Sequence, residues 1–207
     1  MDSNSKTEGK GSQKTMKQMR QMIKMAKKQS TQKQAKAPKQ APKQNPESFI
    51  QRTLVLVKPD GVQRALAGRI IQRFEDAGLK IVAMKMKWID RDFAKKHYFA
   101  HLGKPMYLRL ENFIVSGPVI AMAIEGVSAI ETVRKLVGST EPKSALPGTI
   151  RGDFAQHSYQ YTDQKGIAIK NLIHASGNEE EADYEIKLWF NPEEIHSYRT
   201  VHEIHVF

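Results

Sequence analysis

The pattern of apolar and polar positions predicts a folded region that begins at about Ser48. Residues 53–57 are a compact β-branched run that ends at Pro59-Asp60-Gly61, a strong turn sequence, so they are predicted to form a strand. Residues 79–89 alternate between two sets of side chains in the way a strand does. A continuous apolar run at 118–124 and a short one at 167–173 complete four predicted strands.

Apolar residues at helical spacing separate these strands. Ile70 and Phe74 recur at helical intervals before Gly78, and Ile130 and Val133 do so before Gly138. The helices predicted in this way cover residues 68–78, 92–102, 128–137 and 178–190. The order of elements resembles a ferredoxin-like βαββαβ sandwich, an α+β fold with an antiparallel sheet.

The basic residues are concentrated at the start of the chain. Residues 1–46 contain 12 Lys and Arg but 2 Asp and Glu, whereas residues 47–207 contain 21 and 20. The first segment is rich in Lys, Gln, Ser and Ala and has no aromatic residue, so we expect a largely disordered tail. Within it, residues 14–28 have the spacing of a basic amphipathic helix. The chain therefore divides into a tail, 1–46, and one domain, 47–207.

A tail of this charge is expected to be drawn to polyanions such as nucleic acid or an anionic membrane surface. The alternative, that it only adds solubility, stays open, because runs of charge are unspecific. The lack of aromatic residues argues against a specific reading of bases.

The absence of cysteine excludes disulfides, thiolate nucleophiles and cysteine-based zinc sites. The apolar stretches are too short to cross a bilayer, and the first residues lack the apolar core of a secretory signal. We therefore expect a cytoplasmic protein.

A loop at residues 139–153 is long for a compact domain, which is typical of functional segments. It places Thr140, Arg151 and Gly152 near Arg134 in sequence, and Lys58 ends the first predicted strand. Guanidinium groups pair with phosphate oxygens, so these residues could form a polyphosphate site. Taken alone, the same pattern also fits arginines that are simply solvated.

His174 is the candidate nucleophile, because small residues follow it and a ligand could approach closely. A neutral imidazole is available near pH 7, and Glu185 on the following predicted helix could orient the ring. A lone histidine in this setting also fits a structural role. His97 and His101 are interpreted as helix-surface residues, because no glutamate follows His97 in the metalloprotease pattern.

Five runs occur in sequence along nearly the whole of residues 52–207. They are TLVLVKPDGVQR at 53–64, SGPV at 116–119, PGTIRGD at 147–153, NLIHAS at 171–176 and LWF at 188–190. Several motifs in the right order are more specific than any one of them, and together they resemble the nucleoside diphosphate kinase family.

The resemblance implies an enzyme that moves the terminal phosphate of a nucleoside triphosphate, such as ATP, to a nucleoside diphosphate by a ping-pong reaction. It matches His174 with the family's phosphorylated histidine, Glu185 with the carboxylate that holds the other ring nitrogen, and Ser176 with the hydroxyl bonded to that carboxylate. Lys58 and Tyr98 match residues beside the transferred phosphate. The nucleotide-binding residues implied are Lys58, Met106, Arg134, Thr140, Arg151 and Asn171.

The resemblance also implies Mg²⁺ that is bound with the nucleotide, without a dedicated protein site, and a homo-hexamer or tetramer. Three features depart from the family pattern. Gly177 replaces the usual acidic residue near Mg²⁺, and Met106 replaces an aromatic residue that commonly covers the base. Residues 153–171 are longer than usual, and we expect the inserted segment, 157–165, to lie near the base or an oligomer contact.

Two other functions are compatible with the sequence. One is a catalytically silent relative that the tail docks onto nucleic acid or membrane, although such a protein would be expected to have lost part of the site set, which is intact here. The other is an active enzyme that its tail localises.

Overall fold

Strand β1 (Ile50–Val57) lies inside the sheet because its second half is apolar on both faces. Leu54 and Leu56 pack on one side of the sheet and Val55 and Val57 on the other, and all four are fully buried. Burial on both faces requires the continuous apolar run that residues 53–57 show.

The computed structural model describes residues 49–201 and 203–206, so the predicted tail, 1–46, and its helix at 14–28 lie outside the described residues. The described strands are ordered β2-β3-β1-β4, and every neighbouring pair is antiparallel. The predicted α+β ferredoxin-like βαββαβ sandwich is confirmed. The other strands are β2 (Lys80–Lys87), β3 (Val119–Val127) and β4 (Ile173–Ala175).

Helices cover both faces of this sheet. The described α-helices are α1 (Pro59–Gln63), α2 (Ala67–Glu75), α3 (Arg91–His97), α4 (Tyr107–Ile114), α5 (Ala129–Val137), α6 (Ile150–Phe154), α7 (Tyr159–Lys165), α8 (Glu179–Trp189) and α9 (Glu203–Val206). Helices α3, α4 and α8 pack on the face of Leu54 and Leu56, whereas α2 and α5 pack on the opposite face. None of the described helices is long and apolar enough to span a membrane.

The fourth strand differs from its prediction. The apolar run at 167–173 is irregular up to Leu172, and β4 begins at Ile173. Leu172 has a φ of 70°, a left-handed conformation that is incompatible with a strand. Ile169 lines a cleft instead of continuing the sheet.

Several helical segments of the described residues were not predicted as helices. Pro59 begins α1 instead of a turn, since proline at the first helical position is already set to a helical φ. The loop at 139–153 contains a 3₁₀ turn at Pro142–Ser144 and the start of α6. Helix α4 follows Met106, and α7 lies within the inserted segment, 157–165.

Candidate active site

Strand register determines which face of the sheet His174 occupies. In the antiparallel pair of β1 and β4, His174 lies opposite Leu56. Residues paired across strands point to the same face, so His174 shares the face of Leu56, which α3 and α8 cover. The imidazole therefore lies beneath two helices that can supply partners.

Glu185 on α8 is the first of these partners. Its Oε1 lies 2.8 Å from Nε2 of His174, and its Oε2 accepts a 2.6 Å hydrogen bond from the Ser176 hydroxyl. The Ser176 oxygen in turn accepts the backbone N–H of Leu54 at 3.2 Å. Because the carboxylate requires a donor, Nε2 carries the proton, and Nδ1 keeps its lone pair.

His97 on α3 is the second partner, and its interpretation as a surface residue is wrong. Its ring is buried and stands edge-on to His174, with 4.8 Å between the ring centroids. The Trp189 indole N–H donates to its Nδ1 at 3.4 Å. Burial, with the neighbouring His174, Lys58 and His101, lowers the pKa of His97 well below its usual value, so it packs here as a neutral ring.

His174 opens into a cleft of about 360 Å³. The predicted site residues that line it are Lys58, Tyr98, Met106, Arg134, Thr140, Arg151 and Asn171. Glu185 and Ser176 lie buried behind the imidazole. The lining residues that the sequence did not single out include His101, Leu110, Tyr159 and Ile169.

The Arg151 guanidinium is fixed by backbone carbonyls. It donates to the oxygens of Asn171 at 3.3 Å, Gly138 at 3.0 Å and Ile173 at 2.7 Å, and burial lowers its pKa to about 10. Arg134, in the last turn of α5, also lines the cleft and is exposed. The cleft thus has one rigid and one exposed guanidinium.

Lys58 and Asn171 join the two halves of the site. The Lys58 ammonium donates to Oδ1 of Asn171 at 2.8 Å, and the Asn171 amide donates to the Thr140 carbonyl at the same distance. Burial and then the charge of Arg151 lower the pKa of Lys58 to about 7. The negative charge of an anion in the cleft would offset this lowering, so Lys58 is poised to gain a proton when it binds a phosphate.

Backbone strain marks the same place. Leu172 is fully buried at a φ of 70°, which is uncommon for a residue with a branched side chain. Its N–H donates to Oδ2 of Asp60 at 3.0 Å, and its carbonyl accepts the Lys58 N–H at 2.8 Å. These bonds hold Asn171 and His174 on either side of a bend, and such strain is characteristic of functional sites.

A family model for nucleoside diphosphate kinase matches residues 51–195. The chain belongs to this family. A nucleoside diphosphate kinase of Pyrococcus furiosus is 53% identical over 149 residues, which cover 72% of this chain and 88% of the relative. One of Borreliella burgdorferi is 51% identical over 157 residues, covering 73% and 93%.

Solved structures give the same assignment. A transition-state mimic of nucleoside diphosphate kinase from Borrelia burgdorferi with bound vanadate and ADP is 48% identical, with a TM-score of 0.74 over 77% of this chain and 98% of that chain. A halophilic nucleoside diphosphate kinase from Halobacterium salinarum in complex with CDP is 42% identical, with a TM-score of 0.68 over 76% and 98%.

Two departures from the pattern of nucleoside diphosphate kinases have a structural counterpart. The Gly177 N–H donates to a Glu181 carboxylate oxygen at 2.8 Å, and a Cβ at position 177 would lie 2.8 Å from that oxygen. A carboxylate is therefore present beside Gly177, but on a different residue. Met106, which is partly exposed, lines the apolar end of the cleft with Leu110.

The side chains of the cleft fit Mg²⁺ that arrives on a nucleotide. Magnesium prefers oxygen ligands, and Lys58, Arg134 and Arg151 supply none. Within the described part of the chain, one group has ligand atoms within 4.8 Å of one another: His97, His174 and Glu185. It offers two ring nitrogens and a carboxylate already bonded to Ser176, so phosphate oxygens are the better ligands for this ion.

Proposed function

We propose that this nucleoside diphosphate kinase transfers the terminal phosphate of a nucleoside triphosphate, such as ATP, to a nucleoside diphosphate through a phosphohistidine on His174. The proposal rests on one observation. The Nε2 atom of His174 is held 2.8 Å from buried Glu185, so Nδ1 is the free nucleophile in a cleft with three cationic side chains.

The two half-reactions are the reverse of each other. The Nδ1 lone pair attacks the terminal phosphorus, the bond from that phosphorus to its bridging oxygen breaks, and the diphosphate leaves with the electron pair. Nδ1 carries no proton, so none has to be removed. Glu185 stabilises the positive charge that develops on the ring, and the terminal oxygen of an acceptor diphosphate then takes the group back from nitrogen.

The remaining residues bind and orient the nucleotide. Arg151 and Arg134 are proposed to hold phosphate oxygens, with Thr140 as a hydroxyl donor. Lys58 and Asn171 are bonded to each other at 2.8 Å, and we assign them to the ribose hydroxyls, with Lys58 and Tyr98 beside the transferred phosphate. Mg²⁺, held by the nucleotide, supplies charge neutralisation of the phosphates.

Single-turnover labelling tests the mechanism. We expect the protein, mixed with Mg²⁺ and ATP labelled on its γ-phosphate, to acquire acid-labile label that passes to added GDP. A folded protein that converts ATP and GDP without forming label would exclude the ping-pong route. A folded protein with no turnover would instead favour a silent binding module.

Proton uptake on nucleotide binding is expected from Lys58. Its pKa of about 7 means that the amine is mostly neutral at about pH 8.5, and a bound phosphate raises the pKa. Binding of ADP at that pH should take up as much as about one proton, and less below about pH 6, where the amine is already charged. Calorimetry in two buffers of different ionisation enthalpy measures the uptake.

Lys58→Arg is the matched control for this uptake, since arginine keeps its charge throughout the range. It should bind ADP without the pH-dependent uptake. Equal uptake in the variant and the native chain would assign the proton to another group.

We further propose that the tail, residues 1–46, localises the active enzyme on a polyanion. The supporting observation is that this segment contains 12 Lys and Arg but 2 Asp and Glu. A chain of residues 47–207 should retain full turnover but lose binding to anionic vesicles and to nucleic acid, which the full chain should bind with a steep salt dependence. Equal binding by both chains would remove the proposal.

Assembly as a homo-hexamer, or a tetramer, is proposed from the family resemblance. Light scattering of the full chain distinguishes these states from each other and from a monomer.

A further inference from the structure

The inserted segment, 157–165, brings α7 to the rim of the cleft. The helix begins after Ser158, whose hydroxyl accepts the Tyr161 N–H at 3.3 Å, and ends at Gly166 with a φ of 65°. Asp163 of α7 accepts a 3.0 Å hydrogen bond from Arg109 of α4. The inserted helix is thereby joined to the helix that carries one wall of the cleft.

The loop at residues 139–153, which carries Thr140, anchors the N-terminal end of α7. A Glu141 carboxylate oxygen accepts the Tyr159 N–H at 2.9 Å, and the His157 carbonyl accepts the Lys143 N–H at 3.1 Å. Tyr159 is therefore positioned from two sides, by α4 and by the loop that carries Thr140. A side chain that contacts a ligand has to be held in place by supporting contacts of this kind, above all when it lies on a short helix.

The Tyr159 side chain lies at the boundary between the two ends of the cleft. Lys58, Arg134 and Arg151 form the charged end, and Met106, Leu110 and Ile169 form the apolar end. A smaller apolar cavity of about 50 Å³ continues beyond Met106 and Leu110, and Tyr159 lines that cavity as well. Tyr159 also lies close enough to Arg151 that its ionised form would oppose the lowering of that residue's pKa by burial.

Simple core packing does not account for Tyr159. Its side chain is 42% exposed, and it belongs to neither of the two buried apolar clusters of the described residues. A tyrosine ring presents an apolar face with a polar tip, so it suits a ligand that is aromatic at one end and anionic at the other.

We propose that Tyr159 is a nucleotide-binding residue supplied by the inserted helix, with its ring against the nucleoside part of the ligand beside Met106 and Leu110 and its hydroxyl toward the phosphates. This inference rests on the proposed function, since it assigns a further contact in the same cleft. Stacking on aromatic faces tolerates every base, so the contact should strengthen binding without selecting one base.

Calorimetric titration of the full chain with ADP tests the assignment. Tyr159→Ala should raise the Kd for ADP by about 5- to 50-fold, whereas Tyr159→Phe, which keeps the ring, should retain most of the affinity. Tyr161→Ala is the matched control, because Tyr161 is on the same helix and similarly exposed at 47%, but contacts the His157 ring and does not line the cleft. Its Kd should stay within about twofold.

Titration with inorganic tripolyphosphate separates the nucleoside from the phosphates. Tyr159→Ala should lose much less affinity for this probe than for ADP. An unchanged Kd for ADP in a variant that melts at the native temperature would overturn the assignment, and so would an equal loss for ADP and tripolyphosphate, or an equal loss in Tyr161→Ala. Failure of the native chain to bind ADP would instead count against the proposed function.

Discussion

His174→Ala is expected to abolish acid-labile label and to lower turnover by at least about 10⁴-fold. Alanine removes the imidazole that is proposed to accept the phosphate, and among the described histidines that line the cleft only His174 has a hydrogen bond to a carboxylate. The variant should remain folded, because His174 is partly exposed and the Glu185 carboxylate keeps its bond from Ser176. Label is measured in a single turnover, and folding by thermal melting.

His101→Ala is the control for this variant. His101 also lines the cleft, but its ring contacts Lys104 at 3.3 Å and no described carboxylate holds it. Burial lowers its pKa, so its imidazole is neutral near pH 7. If His101→Ala lost the label and His174→Ala kept it, the nucleophile would have to be reassigned.

Central elements of the fold could be predicted because their burial leaves a local pattern. Strand β1 is buried on both faces and therefore has an uninterrupted apolar run, and α5 packs one stripe, including Ile130 and Val133, on the sheet. Strand β4 has three residues and follows the strained Leu172, so its sequence carries too few positions for any period. Its location depends on pairing with β1, which is not a local property.

Helix α7 does have end signals in the sequence. Ser158 and Gly166 bound a seven-residue segment, and serine before a helix with glycine after it is a recognised pair of end signals. No helix was predicted for the segment, which was expected only to lie near the base or an oligomer contact. Contacts such as the ion pair of Arg109 with Asp163 stabilise the helix, and the spacing of apolar residues along the sequence does not reveal such contacts.

The site itself could be assigned only through the family resemblance. Lys58 and Asn171 are 113 residues apart and are joined by a 2.8 Å hydrogen bond, which neither composition nor spacing predicts. His97 also shows that a local sequence pattern does not determine which side chains meet in the fold. A polar helical segment predicted a surface residue, but the register of β4 places His174 directly beneath it.

Arg151→Ala is expected to lose both stability and activity, because this guanidinium supports the backbone and faces the cleft. Removing it leaves the carbonyls of Gly138 and Ile173 without the Arg151 donor, whereas the Asn171 carbonyl still accepts the Ile173 N–H at 2.8 Å, and we expect the free energy of unfolding to fall by about 2–4 kcal/mol. Loss of a rigid charge on the phosphates should lower kcat/KM by about 10²- to 10³-fold. Denaturant unfolding and steady-state kinetics measure the two effects.

Arg134→Ala separates these two roles. Arg134 is exposed in the last turn of α5, so its removal should change the free energy of unfolding by no more than about 0.5 kcal/mol while still weakening nucleotide binding. Arg151→Lys should fall between the native chain and Arg151→Ala, because an ammonium restores the charge but cannot reach three carbonyls in a planar fork. If Arg151→Ala were as stable as Arg134→Ala, the carbonyl bonds would not hold the bend at Leu172. Arg151 would then be a binding residue alone, and the rigidity of the phosphate end of the cleft would have to come from Asn171 and its bond to Thr140.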